Sequence, residues 1–106
     1  MTEEIQPHIP FLLYLGTARP TVRTLLLEKA THEELDALFA VILNAVHDQI
    51  KVDDHTKKKL MKYGPFLQAL LNKDLGREKK RDLCLQFQSA LRQLIRAVYQ
   101  DLLQYG

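Results

Sequence analysis

Nine lysines and arginines lie between residues 57 and 81 (Lys57, Lys58, Lys59, Lys62, Lys73, Arg77, Lys79, Lys80 and Arg81), against two acids, Asp74 and Glu78. Bases at that density suit phosphates or an acidic protein surface. Lys58 and Lys62 are four apart with Lys59 beside them, and like charges at that spacing repel by a few tenths of a kcal/mol. A sequence that keeps such a cost has a use for it, and an anion is the natural one. Arg77, Lys79, Lys80 and Arg81 open a helical segment, where free amides and the positive end of the dipole add to the pull on phosphate. Farther along, Gln88, Arg92 and Arg96 continue the side of the helix begun by Arg77 and Arg81. The candidate anion or nucleic-acid contacts are therefore Lys58, Lys59, Lys62, Arg77, Lys79, Lys80, Arg81, Arg92 and Arg96. Tyr63 and Phe66 are the nearest aromatics, too few for base stacking, so the expected contact is electrostatic, salt-sensitive and poor in sequence readout. Two other readings stay open: a solvated face that keeps a small protein dispersed, and an acidic protein partner.

The remaining reactive side chains make no catalytic pattern. The four histidines are His8, His32, His47 and His55. His32 and Asp36 share a helix face as two metal ligands would, but no second histidine follows at zinc-site spacing, so no metal is expected. Cys84, the one cysteine, sits beside the basic run, which would lower a thiol pKa, yet no histidine is near to serve as its base. It reads as a half-buried structural residue. The glycines are isolated, with no phosphate-binding loop, dinucleotide fingerprint or nucleophile elbow. Neither an enzyme nor a cofactor is expected.

The elements that must position these residues follow from length and periodicity. A chain of 106 residues supports one domain with one core. A single cysteine points to a reducing compartment. The longest apolar run, Ala37 to Leu43, is far short of the ~20 residues of a membrane span, and Glu3 and Glu4 do not open a signal peptide. The expectation is an intracellular, all-α protein: a compact bundle of five or six helices with a long C-terminal helix, residues 1–9 forming an extended lead-in before it.

Pro10 opens a short apolar turn, Phe11 to Leu15, stopped by Gly16, which reads as a plug over one end of the core. Helix resumes at Pro20 with Val22, Leu25, Leu26 and Ala30 at helical spacing. Thr31-His32-Glu33-Glu34 reads as a capping box. The helix it starts, to about Gln49, is apolar on nearly every side through Leu35, Ala37, Leu38, Phe39, Ala40, Val41, Ile42, Ala45, Val46 and Ile50, with Asn44 as a helix-contact residue, and so is central. Asp53 or Asp54 caps a short helix that turns Leu60 and Met61 inward, and Gly64-Pro65 ends it. A second piece buries Phe66, Leu67, Leu70 and Leu71, and the turn Lys73 to Gly76 follows. From Arg77 to Tyr105 neither Pro nor Gly intervenes. Leu83, Phe87, Leu91, Leu94, Val98, Leu102 and Tyr105 keep three- and four-residue spacing, which predicts one helix of about 28 residues, roughly 40 Å long. That exceeds what a bundle of this size covers, so either its end projects or Phe87, Leu91, Leu94, Val98 and Leu102 form a self-association seam in a homodimer.

From Arg19 to Gln86 the pattern resembles a small basic protein encoded by Polinton/Maverick-type elements and their adintovirus-like relatives, whose gene content resembles that of adenoviruses. The matching residues are Arg23, Leu25, Leu26 and Ala30, then Glu34-Leu35 leading to Asn44, and the connector Ile50-Lys51-Val52. After these come Lys58-Lys59-Leu60, then Tyr63, Leu67 and Leu70, and finally Lys79-Lys80-Arg81, Leu83 and Gln86. The relatives continue into a Gly-Gly-Phe-Leu-like tail, somewhat like the small basic core peptide of adenoviruses. Here Phe87-Gln88-Ser89-Ala90 and the last helix stand in its place, a departure that puts the carry-over of a processed, DNA-condensing tail in doubt. The resemblance implies a virus-like accessory or virion-associated protein, nuclear or in the virion, whose partner is DNA or an acidic viral or host protein. The alternative is an adaptor-like helical module that binds a protein or itself.

Overall fold

The computed structural model describes residues 2–46, 54, 58 and 61–105. Among them the chain is helical throughout, with no strand: α1 (Thr2–Ile5), a 3₁₀ turn (Gln6–His8), α2 (Ile9–Thr17), α3 (Pro20–Lys29), α4 (His32–Val46), α5 (Gly64–Leu71), α6 (Arg77–Gln86), α7 (Gln88–Ala97) and α8 (Tyr99–Tyr105). The all-α expectation holds. His47, Ile50, Asp53, His55, Lys57, Lys59 and Leu60 lie outside the described residues, and with them the connector and most of the stretch expected to form a short helix before Gly64.

Several helix starts follow from local sequence. Thr31 and Glu34 close the capping box in both directions: the Glu34 amide donates to Thr31 Oγ1 at 3.1 Å, and the Thr31 amide donates to Glu34 Oε1 at 2.9 Å. Pro10, Pro20 and Pro65 each fall in the first two positions of their helices, where a missing N–H costs nothing. In α4, Leu35, Ala37, Leu38, Val41 and Ile42 are all fully enclosed, which is the two-sided burial that its composition predicts. Asn44 is buried beside them.

Three expectations are corrected. The lead-in is not extended: α1 and the 3₁₀ turn occupy it, and Ile5 and Ile9 are core residues packed with α4 and its neighbours. Apolar burial outweighs the helix-breaking tendency of Pro7 and Pro10 here, because both prolines sit in first turns. On α3 the buried residues are Arg23 and Leu27, followed by Ala30, with Leu26 packed against the core, while Leu25 of the apolar stripe is exposed. Met61 likewise points to solvent, at 76% exposure.

The largest difference concerns the C-terminal helix, which is three helices. It bends at Phe87 (φ −113°, ψ 45°) and again at Val98 (φ −103°, ψ 9°). No proline or glycine causes this. The molecule extends 31 × 30 × 27 Å, so a straight helix of roughly 40 Å would project from it. Bending instead lays α7 and α8 along α2 and buries Leu91, Leu94, Ile95, Val98 and Leu102. Each such side chain gains about 1.5–3 kcal/mol by burial, against about 0.5–1.5 kcal/mol for a disturbed hydrogen bond. Burial wins. The Phe87 ring then leans on Phe66, centroids 5.2 Å apart, and ties the first bend to α5.

Gly16 does not stop α2; it is the point where α2 meets α7. A Cβ placed there would lie 2.6 Å from Ile95 Cγ2, and Ile95 is fully buried with a stiff β-branched side chain. Gly16→Ala is therefore expected to destabilise the fold by about 1–3 kcal/mol, despite alanine's better helix propensity. A denaturant midpoint equal to or above the native one would contradict this contact.

Candidate anion interface

The predicted basic residues divide into two groups, an inward group held by partners within the molecule and an outward group of exposed bases. The inward group is the start of α6. Arg77 forms a two-pronged pair with Asp36 of α4, Nε to Oδ1 at 2.9 Å and Nη2 to Oδ2 at 3.0 Å. That hydrogen-bonded pairing, aided by the charges of Asp36, Glu33 and Glu78, raises the Arg77 pKa further above its ordinary value. Lys80 places its ammonium over the Phe39 ring, 5.3 Å from the centroid, a cation–π contact. Asp36 is thus the partner of Arg77, where its spacing from His32 suggested a metal face.

Arg81 is largely enclosed, its side chain 14% exposed. It donates from Nη2 to Ala30 O at 3.1 Å and from Nη1 to the carbonyls of Leu27 and Glu28. α3 ends without a glycine, its cap residue Ala30 being extended, so its last carbonyls lack the usual αL closure. Arg81, more than fifty residues away in sequence, supplies it. Glu78 lies 3.4 Å from Arg81 Nη2 and balances part of its charge. Nε of Arg81 is buried with no hydrogen-bond partner. Thus Arg77, Lys80 and Arg81 dock α6 against α3 and α4. Each already has an intramolecular partner.

The outward group comprises Lys58, Lys62, Lys79, Arg92 and Arg96, all exposed, with Lys73 in the same condition on the turn before α6. Lys59 lies outside the described residues. Because the chain bends at Phe87, Arg92 and Arg96 belong to a different helix from Arg77 and Arg81. The single line of bases expected on one long helix is therefore broken.

The proposed self-association residues are mostly core. Leu91, Leu94, Val98 and Leu102 are at most 1% exposed, and Phe87 alone reaches solvent, at 38%. The stripe that reads as a dimer seam is consumed by α2 and the rest of the molecule's own interior.

One structurally engaged basic residue was not among the candidate contacts. Arg23 is 5% exposed, donating through Nη1 to Ala18 O and through Nε to Gln88 Oε1, each at 3.2 Å. The Gln88 amide is fixed in turn by donating to Thr24 Oγ1 at 2.7 Å. Arg23 thus caps α2 as Arg81 caps α3. Burial, and then the nearby charge of Arg92, lower its pKa. The only sequence signal was an arginine four residues before Leu27, on the face that turns inward.

Cys84 is fully buried rather than half-buried. Burial pushes its thiol up to about 12, and the neighbouring bases do not reverse that. Between an ordinary thiol value near 9 and about 12 the folded chain keeps a proton that the unfolded chain has lost. Stability from this group is complete below pH 9 and falls as pH rises through the window, with a slope approaching about 1.4 kcal/mol per unit. Cys84→Ala is expected to remove that part of the slope in denaturant titrations from neutral to alkaline pH. Native protein that reacts rapidly with iodoacetamide near neutrality would contradict the enclosed thiol.

Among the described residues no group of three or more His, Cys, Asp or Glu is placed to hold a metal ion, and no described helix is long and apolar enough to cross a membrane. No protein-family model, curated protein or solved structure matches this chain.

Proposed function

We propose that this chain is a non-enzymatic helical protein that binds nucleic acid through backbone phosphates, using Lys58, Lys62, Lys79, Arg92 and Arg96. The observation that carries the reading is the division among the bases. Arg77, Lys80 and Arg81 have intramolecular partners, while Arg92 and Arg96 are exposed and, among the described residues, paired with no carboxylate. Exposed, unneutralised bases on a rigid helix release counterions when they meet phosphates, which is the main source of sequence-independent affinity. The resemblance to the Polinton and adintovirus-like protein supports a virus-like element as the setting, with a virion or nuclear nucleic acid as the target.

Anisotropy of a labelled random duplex, titrated at about 50 and 200 mM salt, tests this. Native protein is expected to bind more weakly at the higher salt, and Lys58→Glu/Lys62→Glu more weakly than native at both. Salt-independent binding, no binding, or a double variant indistinguishable from native would sink the proposal.

A protein-binding module is the second reading, favoured by large apolar side chains left in solvent: Tyr14, Leu25, Leu43 and Met61.

A further inference from the structure

The exposed side of α7 is ordered as well as basic. Ala90, Leu91, Leu94 and Ile95 turn one side of this helix into the core, and Ser89, Arg92, Gln93 and Arg96 are exposed. Residues four apart on a helix lie one above the other, so the exposed side carries two rows: Arg92 with Arg96, and Ser89 with Gln93. The first row is cationic. The second is neutral, and its hydroxyl and amide groups both donate and accept hydrogen bonds. No Asp or Glu occurs from Leu83 to Gln100, so α7 supplies no carboxylate of its own to neutralise this face.

The helix is also fixed near both ends. Gln88, its first residue, donates to Thr24 Oγ1 at 2.7 Å and accepts from Arg23 Nε at 3.2 Å. Ile95 is packed against Gly16. A helix held in this way presents its side chains at set spacing, with Arg92 and Arg96 about 6 Å apart along the axis.

Duplex DNA sets charge beside neutral hydrogen-bonding groups in the same fashion, a line of phosphates next to the base edges. Its major groove, about 12 Å wide, admits an α-helix of about 10–12 Å diameter. In an A-form RNA duplex the corresponding groove is too deep and narrow for side chains to read. α7 contains no aromatic residue on which the bases of a single strand would stack. An acidic protein surface would account for the arginine row and leave the neutral row without a role.

We propose that the exposed face of α7 docks in the major groove of duplex DNA, with Arg92 and Arg96 on the phosphates of one rim and Gln93 on the base edges, where its amide matches the N6 and N7 pattern of adenine. The site rests on the nucleic-acid reading of the outward bases and adds which duplex they meet and which groove. It also adds a modest base preference to an interface that is otherwise independent of sequence.

Competition against a labelled DNA duplex rich in A·T pairs is the test, with Gln93→Ala, an exposed change that favours helix, beside the native protein. The competitors are the same duplex, its 7-deazaadenine form, which lacks the N7 acceptor in the major groove but keeps base pairing, and an RNA duplex of the same sequence. Native protein is expected to bind the 7-deazaadenine and RNA duplexes each about tenfold more weakly than the parent DNA. Gln93→Ala is expected to bind parent and 7-deazaadenine DNA alike. Native protein that does not distinguish these two, Gln93→Ala that distinguishes them as native does, or equal competition by the RNA duplex would overturn groove docking while salt-dependent binding to phosphates still stands. Displacement by polyglutamate of matched charge as effective as by DNA would assign the face to an acidic protein and overturn it as well. Absence of any duplex binding removes both this site and the nucleic-acid reading.

Discussion

Leu94→Lys is expected to unfold the chain rather than to dissociate a dimer. Leu94 is 1% exposed within the cluster that joins α2, α4, α7 and α8. A lysine there must either leave an ammonium among apolar side chains or displace α7 from α2. Either outcome costs about 4 kcal/mol or more, a large part of the stability of a domain this size. Circular dichroism and sedimentation read the two possibilities separately. The structure predicts loss of the cooperative helical transition. A folded variant whose only change is a smaller sedimenting species would restore Leu91, Leu94, Val98 and Leu102 as a self-association seam.

Arg81→Ala is expected to cost about 2–3 kcal/mol, even though the side chain belongs to the most basic stretch of the sequence. Its guanidinium satisfies the carbonyls of Leu27, Glu28 and Ala30, and the truncation leaves the end of α3 open at a partly enclosed position. Lysine should rescue little, because a single ammonium cannot span three carbonyls with the fork of a guanidinium. Urea unfolding of native, Arg81→Ala and Arg81→Lys proteins checks both statements. An Arg81→Ala midpoint within error of native would mean that α3 needs no remote cap. Arg77→Ala is expected to have a smaller effect, since its pair with Asp36 is well exposed at 39% on each side and solvent screens it.

Features set by neighbours in sequence were legible. The Thr31/Glu34 capping box, the prolines at helix starts and the doubly buried face of α4 all depend on residues within one or two turns. Features set by distant partners were not. Nothing local bends the chain at Phe87 or Val98, because the cause is the apolar surface of α2, some seventy to ninety residues earlier in the chain. The same blindness affected charge. Arg81 looks like a surface base in a linear reading, since a carbonyl end exposed by a remote helix leaves no mark beside it; Arg23, whose carbonyl partner Ala18 is only five residues back, is fixed as well by the distant Gln88. Thus the count of bases from Lys57 to Arg81 correctly located charge but overstated how much of it faces outward. Cys84 failed for a related reason: nearby lysines in sequence suggested a lowered thiol, whereas enclosure by the fold decided the sign.

The central claim is that only the outward bases bind. It is tested most directly by the salt dependence of duplex affinity for two double variants made from the two groups. Each phosphate contact contributes about 0.9 to the slope of log K against log salt on duplex DNA. Arg92→Gln/Arg96→Gln is predicted to lower the magnitude of that slope by about 2. Arg77→Gln/Lys80→Gln, compared at a temperature where it remains folded, is predicted to leave it unchanged. Equal losses in the two variants, or a loss confined to the inward pair, would contradict the division on which the account rests.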